Sequence, residues 1–345
     1  MKKYNVGIVG YGWVSTAHIA AINATRHAQV TAVFSSRPLD AAALSARHGS
    51  EITCYTELAS MLKAPNIDVI SICSLPDLHA EYIISAAKAG KHLIIEKPIT
   101  LNHADARRVV AAVKAAGVKT CVCFECRFSS QLLATKAVID SGLLGQLHYG
   151  EVDYYHGIGP WYGQFRWNTK IASGGSSLLS AGCHAIDALR LCMGAPVESV
   201  TALATKSAST IFEPYEYPTT SVSLVQFSNG AVGKVASVID CLQPYYFHTH
   251  LVGSEGSLMD GKFHSSRLAL EKSQWSSLSL KPLDSGDVSD HPYQTQFEAF
   301  FDALERGTSM PLTSLDEAML SHRVVLAADL SIRENRTVKL AEIDV

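Results

Sequence analysis

The sequence predicts an α/β chain in two parts: a parallel sheet covered by helices on both faces, then a larger part built on antiparallel strands. Three observations carry this. The first third alternates short, almost wholly apolar runs with amphipathic stretches, the pattern of strands buried on both faces between helices. After about Phe128 longer stretches alternate apolar with polar residues, the period of strands buried on one face. With 345 residues, 47% of them hydrophobic and 18% charged, the chain is long enough for two cores.

In chain order, the apolar runs 5–9, 30–34, 69–73, 92–95 and 120–124 read as strands, and 17–24, 39–48, 79–89 and 104–116 as the helices between them. Gly90 and Gly117 stand where helix C-caps belong. A helix over 131–140 ends at Ser141-Gly142. Alternating strands follow at 147–155, 197–208, 219–227, 231–238 and 247–252, with Ser228-Asn229-Gly230 as a hairpin turn. Further helices are expected at 183–191 and 293–306, and 273–290 is the most loop-like stretch. The amphipathic segment 316–333 has no strand partner and is expected to pack back across the junction. The expected domains are 1–125 and 126–345.

Composition excludes several classes. A net charge of -3, a pI near 6.5 and the lack of a Lys/Arg-rich block offer nothing to nucleic acid. No apolar run reaches membrane-spanning length or follows a basic signal-peptide start, so the expectation is a cytoplasmic protein with no membrane partner. The 8 cysteines lie mostly in apolar runs and read as reduced core thiols; Cys123 and Cys126 have the C-x-x-C spacing without a second pair, and no metal is expected.

Gly10-Tyr11-Gly12-Trp13-Val14-Ser15 lies between the first strand and the first helix. In such a turn the first glycine permits the bend, the second lets a pyrophosphate approach the backbone, and the small third residue lets helix and strand pack. The helix N-terminus then faces the phosphates. NAD sites usually end the second strand in an acidic residue; here the run is Phe34-Ser35-Ser36-Arg37, and Ser36 with Arg37 suits a 2′-phosphate. The cofactor is therefore NAD or NADP, with a lean to NADP. An Arg37 that stacks on adenine or points to solvent would leave that choice open.

A doubly wound sheet binds its ligand beyond the carboxyl ends of its strands. Glu96-Lys97-Pro98 stands at one such end and Ser74-Leu75-Pro76-Asp77-Leu78-His79 at the neighbouring one. Adjacent strand residues point to opposite faces, so the Glu96 and Lys97 side chains are not an ordinary pair. This puts Lys97 in the crevice and leaves Pro98 to pin the backbone past it.

The glycine turn, "SLPDLH", "EKP" and the later "SGGSSLLSAGCHAID" resemble, in that order, the glucose-fructose oxidoreductase/inositol dehydrogenase/MocA family, over essentially the whole chain. The resemblance implies an N-terminal Rossmann doubly wound parallel sheet and a C-terminal α+β domain with an open, mostly antiparallel sheet. It also implies bound NAD(P), oxidation or reduction at a sugar, glycoside or cyclitol carbon, and pairing through the C-terminal sheet into a homodimer or homotetramer. It makes Lys97, His184 and Asp187 the catalytic trio. Lys97 would stabilise the alkoxide, His184 would exchange the hydroxyl proton, and Asp187 would orient the ring or hold substrate hydroxyls.

On the same footing Gly10, Tyr11, Gly12, Trp13, Val14, Ser36, Arg37, Ser74, Leu75, Pro76, His79, Glu96, Lys97, Glu125 and Trp167 are expected around the cofactor. Glu125, Tyr155, Trp167, Asn168 and Ser180 join the trio around the substrate. The aromatics of "DYYHGIGPWYGQFRWNTK" suit sugar faces. Two positions depart from the family pattern: Ser180 stands where Asp is usual, and Glu125 where Asn is frequent. Two other readings therefore remain beside the dehydrogenase, a glycosidase-like enzyme with tightly bound, recycled NAD and a non-catalytic nucleotide-dependent sugar-binding protein.

Overall fold

The computed structural model describes residues 3–281 and 290–345. The loop expected over 273–290 thus lies partly outside the described residues. The chain divides into two compact units. The first holds the residues up to Glu125 together with Pro292–Met319 and Val345; the second holds Cys126–His291 and Leu320–Asp344.

The first unit is built on a parallel sheet of β1 (Tyr4–Val9), β2 (Ala28–Phe34), β3 (Thr53–Tyr55), β4 (Val69–Ile72), β5 (His92–Ile95) and β6 (Thr120–Val122), in the order β3-β2-β1-β4-β5-β6. Val6, Ile8, Val30, Val33, Val69, Ile70, Leu93 and Ile94 are wholly buried, because helices cover both faces and leave no polar side to the strands. The strand order reverses between β1 and β4, which opens the crevice beyond their carboxyl ends. Gly49 and Gly117 end their helices at φ 66°, the left-handed cap that glycine adopts without strain. β3 escaped the sequence reading because three residues are too few to show a period.

Pro292–Met319 belongs to this unit, a departure from the expectation that everything after 125 forms one domain. The reason is apolar and aromatic packing. Helix Tyr293–Glu305 lies on helix Trp13–Asn23, with Phe297 4.9 Å and Tyr293 4.6 Å from the His18 ring and Phe301 stacked on Tyr4 at 5.9 Å. Beyond it, Thr313 O accepts from Val122 N at 2.7 Å and Gln296 Nε2 donates to Val122 O at 2.8 Å, which satisfies the edge of β6.

The second unit carries a sheet of β7 (Leu147–Tyr155), β8 (Val197–Thr205), β9 (Thr220–Phe227), β10 (Val232–Val238), β11 (Tyr246–Gly253), β12 (Gly256–Met259), β13 (Lys262–Ser265), β14 (Ser276–Ser277) and β15 (Val338–Lys339). Its order is β14-β13-β12-β11-β7-β10-β9-β8-β15, and β7 with β10 is the parallel pair in an otherwise antiparallel ladder. The β9–β10 hairpin turns at Ser228-Asn229-Gly230, with Gly230 at φ 84°. Helix Cys183–Met193 covers β7 and β10. Two glycines set its height: a Cβ at Gly150 would lie 2.7 Å from Met193 Sδ, and one at Gly233 2.7 Å from Leu189 Cδ2. Among the described residues no helix is long and apolar enough to cross a membrane.

Phe297 is fully buried in the first unit. Phe297→Ala is expected to cost about 3–5 kcal/mol of stability, the usual range for removing a buried aromatic; a urea midpoint unchanged from wild type would show that the returning helix contributes little.

Candidate active site

In the first unit, β1 runs into the Gly10-Tyr11-Gly12 turn and helix Trp13–Asn23. Gly10 has φ 92°, and a Cβ there would sit 2.9 Å from the Cys73 carbonyl oxygen just after β4, so only glycine closes this turn. Gly12 is different. It is exposed, and a Cβ there would meet nothing within 4 Å. The protein's own packing does not demand a glycine at 12, so the open space above it is room for something else to approach the backbone.

Gly12 N donates to Ser15 Oγ at 2.9 Å and Ser15 Oγ donates to Gly12 O at 2.7 Å, binding the small third position into the turn. The first helical turn has no acidic residue to oppose an anion. Tyr11 OH meets His48 Nε2 at 3.0 Å, Trp13 is exposed and Val14 half-buried. These residues fit a dinucleotide pyrophosphate.

At the end of β2 the buried Ser35 accepts from Arg37 N at 3.1 Å, and Ser36 and Arg37 are exposed. The next carboxylate, Asp40, caps helix Ala41–His48 by accepting from Ala42 N and Ala43 N. The loops after β4 and β5 are bridged by one buried imidazole. His79 Nδ1 lies 2.8 Å from Pro98 O and Nε2 3.1 Å from Ser74 O, and burial lowers its pKa below 6.5 despite those two carbonyls. Leu75 is exposed and Pro76 buried at the start of the turn Pro76–Leu78. Lys97, half-buried, is followed by Pro98 across a cis peptide bond.

Glu96 is 5% exposed and makes three contacts. Its Oε1 lies 2.8 Å from His18 Nε2 and accepts from Tyr293 OH at 2.7 Å, while Oε2 accepts from Lys97 N at 3.0 Å. His18 Nδ1 reaches Ser71 Oγ on β4 at 2.8 Å. Burial alone would raise the Glu96 carboxyl; the hydrogen bond and charge of His18, the charge of Lys97 and the Tyr293 hydroxyl overcome it and hold the group at about 2. Burial likewise opposes a charged His18, but the Cys73 sulfur and Glu96 outweigh it and raise His18 to about 10.

Glu125, 1% exposed, behaves oppositely. Burial first, and the Glu96 charge second, push it up to about 8 against the pull of Lys97 and His18, so at neutral pH it is an uncharged acid.

In the second unit, His184 and Asp187 lie in the first turns of helix Cys183–Met193, which a π-turn over Leu178–Gly182 introduces. A Cβ at Gly182 would lie 2.4 Å from Ser237 Cβ on β10, so this glycine lets the helix start sit on the sheet. His184 is buried, with the Tyr154 ring stacked 6.4 Å away. The Asp187 carboxylate accepts from Arg127 Nε at 2.7 Å, Arg127 Nη2 at 2.6 Å and Ser321 Oγ at 2.6 Å. Its oxygens therefore anchor a buried guanidinium.

Trp167 and Asn168 close the short helix Phe165–Asn168. Asn168 is buried, and Tyr217 OH donates to its carbonyl at 2.5 Å. The double glycine belongs to the same contact: a Cβ at Gly174 would lie 2.2 Å from Asn168 O, and Gly175 has φ 76°. Tyr155 stacks on Tyr246 at 6.1 Å, and Ser180 N donates to Ser176 O at 2.9 Å in the π-turn.

Sequence reasoning missed His18, Ser71 and Tyr293 around Glu96, and Arg127 and Ser321 around Asp187. Arg127 left a signal, a lone charge between Cys126 and Phe128 in an apolar stretch, which implies a buried partner. Six of the 8 cysteines are buried; Cys54 and Cys241 are half-buried.

A glycine turn with an open second position, at the switch point of a β3-β2-β1-β4-β5-β6 sheet, defines a dinucleotide-binding protein of the Rossmann type. Residues 4–124 match the model described as the oxidoreductase family, NAD-binding Rossmann fold, and residues 132–259 the GFO/IDH/MocA C-terminal domain. The chain belongs to the GFO/IDH/MocA family of oxidoreductases.

It is 25% identical to the myo-inositol 2-dehydrogenase of Thermotoga maritima over 98% of this chain and 99% of that one. It is 28% identical to the D-glucoside 3-dehydrogenase of Escherichia coli over 66% and 68%. A levoglucosan dehydrogenase structure in complex with NADH and L-sorbose shares the fold, with a TM-score of 0.86 at 22% identity over 99% of this chain and 100% of that one.

The His18–Glu96 pair sets a pH window. Glu96, depressed from 4.5 to about 2, adds stability that is full above pH 4.5 and lost as pH falls through 2. His18, raised from 6.5 to about 10, adds stability that is full below pH 6.5 and lost as pH rises through 10. The melting-temperature advantage of wild type over His18→Gln should therefore be largest between pH 4.5 and 6.5 and shrink on either side; an advantage independent of pH would mean the pair is uncharged.

Proposed function

We propose that this enzyme moves a hydride between NAD(P) and a secondary hydroxyl or ketone of a sugar, glycoside or cyclitol. The observation that carries the reading is Lys97: a cation at the tip of β5, its amide fixed by a buried carboxylate, two strands from the open Gly12 turn in the same sheet. The inositol and glucoside dehydrogenases among its relatives support a ring polyol as substrate.

Gly10 to Val14 would hold the pyrophosphate, Ser36 and Arg37 the adenosine ribose, and Ser74, Leu75, Pro76 and His79 would line the crevice. When bound, the dinucleotide supplies the hydride acceptor or donor. Lys97 stabilises the developing alkoxide. His184 takes or returns the hydroxyl proton. Asp187, through Arg127 and Ser321, fixes the helix that presents His184. Trp167, Asn168, Tyr155 and Ser180 contact the substrate or the cofactor. Glu125 as a neutral acid can both donate and accept a hydrogen bond, as an asparagine amide can.

That same neutral, buried acid also suits the second reading, glycoside cleavage with a recycled cofactor, which would form product without accumulating reduced nicotinamide. Two chains would pair through the outer face of the second unit's sheet, where Leu203, Val222, Leu224 and Val232 are exposed on three adjacent strands. Cysteines placed mostly in the apolar core suit a reducing compartment such as the cytoplasm.

Lys97→Ala should lower kcat by about 100-fold or more with dinucleotide binding retained, in line with the loss of one oxyanion donor; unchanged turnover would remove Lys97 from the chemistry. Arg37→Ala should weaken NADP by roughly 10-fold or more and leave NAD nearly unchanged, as expected for a lost charged hydrogen bond. Equal loss for both would show that Arg37 does not read the 2′ position.

A further inference from the structure

We propose that the cleft between the loops 156–162 and 241–245 is a subsite for a second ring of the substrate, so that the enzyme acts on a glycoside with a cyclic aglycone and not on a free monosaccharide or cyclitol. The proposal deepens the sugar dehydrogenase reading and rests on it for the identity of the first ring.

The cleft lies wholly within the second unit. It has a volume of about 470 Å3 and is lined by His156, Trp161, Leu242, Gln243 and Tyr245, among others. That volume is in the range of small-molecule sites. Its open surface is that of a ring platform, the broad apolar faces of Trp161 and Leu242 beside the exposed Gln243 amide, while the His156 ring nitrogens and the Tyr245 hydroxyl are turned into the protein. Trp161 is 61% exposed and Leu242 68%, one large apolar side chain on each side of the cleft.

Trp161 is exposed and yet anchored. Its Nε1 donates to Gly157 O at 3.0 Å, and its edge meets Phe212 at 6.2 Å with the planes at 82°. Two glycines make room for it. A Cβ at Gly159 would lie 2.4 Å from the indole, and one at Gly157 would strike Cys241 O at 2.4 Å and lie 3.4 Å from the same ring. The backbone of loop 156–162 is thus shaped to pack against Cys241 and to keep one indole in place with much of its surface in water. A surface tryptophan retained only for packing would need neither.

The cleft lies one buried aromatic ring away from the side chain expected to move the proton. The Tyr154 ring lies 6.4 Å from His184 and 6.0 Å from His156, and 5.5 Å from Tyr245, so one aromatic ring separates His184 from the cleft wall. A ring held at His184 would present its neighbour to Trp161, whose indole face takes the apolar side of a sugar or aryl ring, with the exposed Gln243 amide beside it for polar groups.

The test is calorimetric titration of the purified protein with glucose and galactose, and with their methyl glycosides, phenyl glycosides and β-linked disaccharides, alongside a turnover assay. The proposal expects two-ring ligands to bind at least about 10-fold tighter than methyl glycosides, the order of a well-stacked aromatic contact. Trp161→Ala should abolish that advantage, Trp161→Phe should keep part of it, and Trp275→Ala, at an exposed tryptophan outside the cleft, should keep all of it. No advantage for two rings, an advantage that survives Trp161→Ala, or a Trp161→Ala variant that changes native mass instead of ligand binding would each overturn it. Trp161-dependent binding without any reduced cofactor would sink the dehydrogenase reading and leave the subsite standing; turnover indifferent to the second ring would do the reverse.

Discussion

The first unit depends on one buried carboxylate. Glu96 sits at the tip of β5 and receives His18 from the helix after β1, Tyr293 from the returning helix and the amide of Lys97. His18 in turn reaches Ser71 on β4. One group thereby joins both strands of the switch point's neighbourhood to the two helices that pack over them. Taking such a charge out of water costs several kcal/mol, which is offset only because each oxygen has a partner and one of those partners, His18, is itself cationic. Against an apolar pair of the same shape the arrangement's net gain is therefore small, although removing one partner alone is costly. Its value is direction: the backbone at Lys97 has one orientation, and the lysine leaves the strand on a fixed course.

The second unit solves the corresponding problem with a different pair. Arg127 and Asp187 form a two-point contact, supported by Ser321, and both side chains are almost wholly buried. Breaking such a pair leaves an uncompensated charge, so the helix that carries His184 is held to one register. Gly150, Gly233 and Gly182 then set its distance from the sheet, since a methyl at any of the three would collide with Met193, Leu189 or Ser237. Steric closeness places the histidine in depth, and the ion pair places it in rotation.

Burial in the first unit produces two carboxyl groups of opposite character. Glu96, beside a cationic imidazole, stays ionised; Glu125, within the field of Glu96, stays protonated. Environment alone separates their roles, since the chemistry of the groups is the same. A neutral glutamic acid has, like an amide, one donor side and one acceptor side.

Much of this was legible in the residue order. The parallel sheet followed from apolar runs too continuous to be half-exposed, the hairpin from Ser228-Asn229-Gly230, and the dinucleotide turn from three small residues at a strand-to-helix junction. Those features are local, since each is set by residues close together in the chain. The parallel pairing of β7 with β10, the short strands β3 and β12 to β15, and the return of Pro292–Met319 to the first sheet were not legible, because each depends on which distant segment offers a complementary edge or apolar face. The site divides the same way. The sequence by itself determined that Glu96, Lys97, His184 and Asp187 stand where chemistry is expected. Only the tertiary structure decided that Glu96 is charged and Glu125 neutral, and that Asp187 is bound to Arg127, because charge state and partnership are set by what folding brings within a few ångströms.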